Sequence, residues 1–115
     1  MKGVGPGPGI FDDPLAQEVR AAFELAVAGG TTVPDATQEV LQKFGDAADD
    51  PARSPALWLA LAWVQSERGA LQGGIRKRAL AAILSGRGLA GWENSGPEAL
   101  AARQAVLEDL RWRVQ

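Results

Sequence analysis

The sequence predicts an all-α fold, a compact orthogonal bundle of about five helices packed around one buried central helix. Residues 56–64 form the centre of this prediction, because the two indole N–H groups of Trp58 and Trp63 are the only polar side-chain atoms there. A helix that is apolar on every side must be buried on most of them, so Trp58 and Trp63 are both expected to lie in the core. Other segments carry apolar residues at helical spacing, and none alternates as a half-buried strand does.

The chain begins with a stretch in which neither a helix nor a strand is expected. Residues 3–9 contain four Gly and two Pro. We therefore predict a Gly/Pro-rich arm over residues 1–11 and a single helical domain over residues 12–115. Ile10 and Phe11 are expected to anchor the arm to the core.

The first helix is predicted to start at Pro14, which suits the first helical position, with Asp13 as its cap. Its apolar stripe runs from Leu15 to Ala26, and a glycine pair ends it at residues 29–30. The second helix follows a capping box that begins at Thr32. It is expected to stop at Gly45, before a polar link over residues 46–53.

The central helix is predicted to begin at Ser54 and Pro55, with the Ser54 hydroxyl as its cap. It is expected to end at Gly69, with its polar last turn, residues 65–68, in water. The pair Gly73-Gly74 is interpreted as a separator before a fourth helix, which closes at Ser85-Gly86.

The last helix is predicted to begin at Pro97, after a loop over residues 87–96. Leu89 and Trp92 of this loop are expected to pack into the core. Its apolar positions recur every three or four residues from Leu100 onward. Arg103 interrupts this stripe, so the helix is expected to pack along one side of the domain.

Composition excludes several classes of enzyme. The chain of 115 residues has no Cys and no His, so thiol nucleophiles, Ser-His-Asp triads and zinc hydrolase sites are impossible. The net charge is −2, which argues against a dedicated nucleic-acid-binding domain. No signal-peptide pattern is visible, and the longest apolar run is far shorter than the ~20 residues that span a bilayer. We expect a cytoplasmic protein that does not bind a membrane.

A run of short motifs resembles a family of small bacterial proteins catalogued as a domain of unknown function. The matching segments are Gly7-Pro8-Gly9-Ile10-Phe11-Asp12-Asp13, Asp49-Asp50-Pro51, Pro55 with Trp58-Leu59-Ala60-Leu61-Ala62, Arg78-Ala79-Leu80 with Ile83 and Ser85-Gly86, and Trp92-Glu93. Two positions depart from the family pattern, since Val4 stands in the region of its opening Trp and Pro14 replaces a third acidic residue. The resemblance implies a helical fold and bacterial origin, and no activity.

Three groups of side chains are candidates for a functional site. The first consists of two acidic turns, at Asp12/Asp13 and Asp49/Asp50. Clustered carboxylates of this kind are the ligands that hard cations prefer. The second is the basic stretch Arg76-Lys77-Arg78, which follows a glycine turn. It is either the start of the second helix of a helix-turn-helix or a solvent-exposed helix face. The third is a tryptophan between two arginines, a combination typical of interfaces. Together they give the predicted partner-binding residues, Asp12, Asp13, Asp49, Asp50, Arg76, Arg78, Arg111, Trp112 and Arg113.

The function expected from these observations is a non-enzymatic protein–protein interaction module, immunity-like or self-associating, with no cofactor and no nucleic-acid partner. Its partner would be another protein or a second copy in a homodimer. The alternative is a carboxylate-based divalent-metal-binding protein or enzyme that uses the Asp12/Asp13 and Asp49/Asp50 clusters. The residues alone do not decide between these two classes.

Overall fold

The computed structural model describes residues 9–86, 89, 92 and 96–114. A 3₁₀ turn, Ile10–Asp12, precedes six helices: α1 (Pro14–Ala28), α2 (Val33–Lys43), α3 (Gly45–Ala48), α4 (Ser54–Glu67), α5 (Gly73–Leu84) and α6 (Pro97–Val114). No strand occurs in these ranges, which confirms the predicted all-α bundle. None of the helices described here is both long and apolar enough to span a bilayer.

Helix α4 is the buried centre of the bundle, as predicted. It contacts α1, α3, α5, α6 and the 3₁₀ turn. Leu57, Leu61 and Val64 lie on one face of the helix and Leu59 lies on the opposite face, and all four are fully buried. Burying each such side chain contributes about 1.5–3 kcal/mol, so covering α4 on all sides is a large part of the stability of the fold.

The two tryptophans of α4 are only half-buried, so the expectation that both lie inside the core is wrong. Each indole faces a gap between neighbouring helices and carries an arginine over its ring. The guanidinium carbon of Arg78 lies 4.6 Å from the Trp58 ring centroid, and that of Arg113 lies 4.2 Å from the Trp63 centroid. The arginine side chains complete the cover that the helices leave open, through stem contact and cation–π attraction.

The last turn of α4 was expected in water, and this is wrong for Gln65, which is fully buried. Its Nε2 donates to Thr37 Oγ1 at 2.7 Å and to Gln72 Oε1 at 2.9 Å, while its Oε1 accepts from the Gln72 N–H at 2.9 Å. A polar side chain is tolerated in a core when its hydrogen bonds are made in this way. Gln65 therefore joins α2 and α4 to the start of α5.

Only some of the helix caps and starts are those predicted from the sequence. Asp13 caps α1, and the Thr32 hydroxyl accepts from the Asp35 N–H at 3.3 Å, both as predicted. Ser54 is not a cap, because it is the first residue of α4 and its N–H donates to the Asp50 carbonyl at 2.8 Å. The pair Gly73-Gly74 is not a separator and forms the first turn of α5.

The link over residues 46–53 is also not wholly irregular, because Ala47 is buried and holds the short helix α3 against the bundle. At the N-terminal end, Ile10 belongs to the core with 5% of its surface exposed, and Phe11 packs against it. This confirms the expected anchor. Residues 1–8 of the predicted arm lie outside the described residues, as do residues 87, 88, 90, 91 and 93–95 of the predicted loop.

We expect Gln65→Leu to lower the free energy of unfolding by about 1–3 kcal/mol, because the change keeps the volume of the side chain and leaves Thr37 and Gln72 without their partner. Urea unfolding followed by circular dichroism measures this loss. The matched control is Gln38→Leu, at an exposed position of α2, which should change stability by less than about 0.5 kcal/mol. Equal effects of the two substitutions would contradict a structural role for the Gln65 hydrogen bonds.

Candidate functional site

An open cleft of about 490 Å³ lies between the 3₁₀ turn, α4 and α6. We term it the α6 cleft. Its lining is mostly apolar and includes two exposed carboxylates, a combination typical of sites that take an apolar group and orient it by charge. The lining residues are Gly9, Ile10, Phe11, Asp12, Trp63, Ala105, Val106 and Asp109.

The 3₁₀ turn forms one wall of the α6 cleft and is closed by its own hydrogen bond. The Asp12 carboxylate accepts from the Gly9 N–H at 2.9 Å. A Cβ atom at residue 9 would lie 2.9 Å from Asp12 Oδ2, closer than Cβ atoms ordinarily approach, so a larger residue there would displace the Asp12 carboxylate from this hydrogen bond. Ile10 in the core then fixes the turn to the bundle.

The aromatic wall of the α6 cleft is held between two guanidinium groups. Phe11 and Trp63 meet edge to face, with ring centroids 6.3 Å apart and planes at 78°. Arg20 lies 4.7 Å from the Phe11 centroid and Arg113 lies 4.2 Å from that of Trp63. Asp109 Oδ2 accepts from Arg113 Nε at 3.1 Å. These contacts hold the rings in place before any partner arrives.

Asp12 and Asp13, two of the predicted partner-binding residues, both make contacts that stabilise the fold. The Asp13 carboxylate accepts from the N–H groups of Leu15 and Ala16, at 2.8 and 3.4 Å, and so caps α1. Asp12 and Asp13 also attract Arg103, whose side chain enters the core of the bundle. Only 7% of Arg103 is exposed, and burial lowers its pKa while the two carboxylates oppose that change.

The second acidic pair is separate in the fold and is used in a turn. Asp49 is exposed at the end of α3. Asp50 accepts from the Ala52 N–H at 2.9 Å and from Arg53 Nε at 3.0 Å, and the Ala52 hydrogen bond is the main reason why the pKa of Asp50 is lowered. Among the described residues, no group of three or more acidic side chains is arranged to hold a metal ion.

The predicted basic residues divide between two places. Arg76 Nε donates to the Val114 carbonyl at 2.6 Å and so satisfies the end of α6, and Arg78 covers Trp58. At the end of α6, Arg111 pairs with Glu108 at 3.4 Å. Trp112 is 68% exposed, beside Arg113 and one turn beyond the α6 cleft. The structure therefore places Asp12, Arg113 and Trp112 at or next to the cleft, and Asp49, Asp50, Arg76 and Arg78 outside its lining.

Of the eight lining residues, sequence reasoning named only Asp12 as a site residue. It missed seven as parts of a site: Gly9, Ile10, Phe11, Trp63, Ala105, Val106 and Asp109. Trp63 was assigned to the core, and the three α6 residues lie beside the predicted apolar stripe of that helix. Val106 carries the only direct signal, as an apolar residue that the stripe does not include. Which other elements face it depends on tertiary packing.

If Asp13 is a cap, Asp13→Ala should lower the free energy of unfolding by about 1 kcal/mol, and Asp13→Asn should retain most of it because Asn caps as well as Asp. Urea unfolding of the three proteins gives the comparison. Unchanged stability of Asp13→Ala would show that the carboxylate has another role.

The companion measurement is a calorimetric titration of Mg²⁺, Mn²⁺ and Ca²⁺ into the wild-type protein and the Asp49→Ala/Asp50→Ala variant. We expect no saturable micromolar binding to either. A saturable heat that disappears in the variant would favour the metal-binding alternative.

The Asp50 turn should make stability depend on pH in one direction. Folding lowers the pKa of Asp50 from its ordinary value of 3.8, so the ionised carboxylate contributes stability above that pH, and the contribution is lost as the pH falls through the lower folded pKa. The difference in unfolding free energy between wild type and Asp50→Asn should be constant at neutral pH and shrink below about pH 4. A difference that grows with acidity would contradict this assignment.

Comparison with known proteins finds no matching family model, no matching curated protein and no matching solved structure. The resemblance of the opening motif to a small bacterial family therefore stays a hypothesis.

Proposed function

We propose that this chain is a non-enzymatic protein–protein interaction module that holds an apolar side chain of its partner in the α6 cleft. The observation that carries the proposal is the cleft itself, an open space of about 490 Å³ with a mainly apolar lining and a preformed aromatic wall. A space of this size lies in the range of sites that enclose small ligands and side chains.

The residues that line the α6 cleft include two carboxylates and no cation, and this lining favours a basic partner segment even though Asp109 is already paired with Arg113. Asp12 and Asp109 are exposed, and each has accepted one hydrogen bond from within the chain. A carboxylate has about four acceptor positions, so both retain capacity for an arginine or lysine of the partner. An aromatic side chain flanked by cations matches such a site, because the ring replaces water over Phe11 and Trp63 while the cations meet the carboxylates.

The absence of His and Cys supports a binding role, because the common neutral-pH proton carriers and nucleophiles are missing from the chain. The carboxylates of Asp13 and Asp50 are engaged in a cap and a turn, and no observation among the described residues favours the metal-binding alternative. The module would act in the bacterial cytoplasm, either by neutralising a protein partner, as immunity proteins do, or by self-association.

The proposal predicts that acetyl-Arg-Trp-Arg-amide binds the α6 cleft with saturable shifts of the NMR signals of Phe11, the Trp63 indole and Val106. The control peptide, acetyl-Glu-Trp-Glu-amide, should bind at least about tenfold more weakly, because its charges repel those of Asp12 and Asp109. The titration is followed in ¹⁵N-labelled protein.

Two substitutions of the same kind separate cleft binding from adsorption to the surface. Ala105→Trp fills the α6 cleft and should abolish peptide binding, whereas Ala101→Trp, one turn earlier on an exposed position of α6, should leave it unchanged. Binding that survives Ala105→Trp would overturn the assignment of the cleft as the binding site.

A further inference from the structure

We infer that the partner of the α6 cleft is a second copy of this chain, whose Trp112 enters the cleft in a two-fold dimer. The inference rests on the proposed function, because it names the occupant of the same site. It goes beyond that proposal in fixing which side chain binds, which charges pair and which symmetry relates the two copies.

Among the exposed large apolar side chains of the described residues, Trp112 is the one whose chemistry suits the α6 cleft. It is 68% exposed, and its two neighbours in the chain are arginines. Leu25 and Leu84 are exposed to a similar extent, but neither is flanked by basic residues. An exposed indole between two cations has the chemistry for which the aromatic and acidic lining of the cleft is suited.

The positions of Trp112 and the α6 cleft on one helix make the surface self-complementary. Ala105, Asp109 and Trp112 are spaced by four and three residues, so they lie along one face of α6. The distance along the axis from Ala105 to Trp112 is about 10 Å, at about 1.5 Å per residue. If α6 of one copy packs antiparallel to α6 of the other, Trp112 of each faces the cleft of the other. This reciprocity is what a two-fold interface requires.

Charge complementarity supports the same pairing. The cleft presents the carboxylates of Asp12 and Asp109, and the incoming Trp112 is accompanied by Arg111. Among the described residues, Arg111 pairs with Glu108 at 3.4 Å on the surface, and its buried Nε has no hydrogen-bond partner. A surface ion pair of this kind contributes little to stability. Arg111 can therefore exchange this contact for a carboxylate of the second copy at little cost.

Sedimentation velocity over micromolar to submillimolar concentrations tests the inference. Wild type should show a concentration-dependent equilibrium between monomer and dimer. Trp112→Ala should raise the dissociation constant at least about tenfold, as expected for a central aromatic anchor. Leu84→Ala is the matched control, because Leu84 has the same exposed fraction of 68%, and it should leave the dissociation constant unchanged.

A mixing experiment distinguishes reciprocal insertion from stacking of two Trp112 rings across the axis. Trp112→Ala keeps an open cleft, and Ala105→Trp keeps Trp112 but fills the cleft. Each variant alone loses both contacts of the dimer, whereas a mixture of the two retains one contact and should form a heterodimer more tightly than either forms a homodimer. Asp109→Lys serves as a second cleft variant if Ala105→Trp does not fold. Absence of any such rescue would overturn reciprocal insertion.

The outcomes for this inference and for the proposed function can be told apart. A wild-type chain that stays monomeric, or a dimer that is insensitive to Trp112→Ala, overturns the second copy as partner. If the Arg-Trp-Arg peptide still binds the α6 cleft in that case, the proposed interaction function stands with another protein as occupant. If the peptide does not bind Trp112→Ala, in which the cleft is free of any second copy, the proposed function fails as well.

Discussion

The structure depends on one constraint, that a helix without a polar face must be removed from water on every side. Leu57 and Leu61 are fully buried on one face of α4 and Leu59 is fully buried on the opposite face, so no single neighbour can cover them. Helices α1, α5 and α6 and the 3₁₀ turn are all drawn to this one helix, because each buries apolar surface against it. The arrangement of the whole chain follows from covering α4.

A small chain has few elements with which to surround a helix, and gaps remain where they do not meet. Arginine side chains cover part of these gaps, Arg78 over Trp58 and Arg113 over Trp63. Between the 3₁₀ turn and α6 a gap of about 490 Å³ remains open as the α6 cleft. The candidate binding site is thus a consequence of the same packing problem that determines the fold, with Phe11 and Trp63 as its wall. A partner's aromatic ring would complete the cover that the chain itself leaves unfinished.

Polar groups inside the bundle serve to connect elements that are distant in sequence. Gln65 links α4 to Thr37 on α2 through a buried hydrogen bond, and to Gln72 at the start of α5 through two part-buried ones. Arg103 connects α6 to other parts of the chain in a similar way. Its guanidinium lies 5.4 Å from the Trp92 ring centroid and is attracted by the carboxylates of Asp13 and Asp12. Because buried polar groups are costly unless partnered, such links favour one arrangement of the helices over others of similar apolar contact.

The sequence alone determined the helical class, the central place of α4 and the cap at Asp13, because each follows from residue type and spacing within a single segment. Other features were decided only by tertiary structure. Gln65 is polar, and its burial depends on hydrogen bonds to Thr37 and Gln72, which are distant in sequence. The polar link contains a short helix because the bundle buries Ala47. The α6 cleft joins residues 9–12, Trp63 and residues 105–109, which are far apart in the chain. Local periodicity reports which face of a helix is apolar, but the shape of a gap depends on how three separate elements meet.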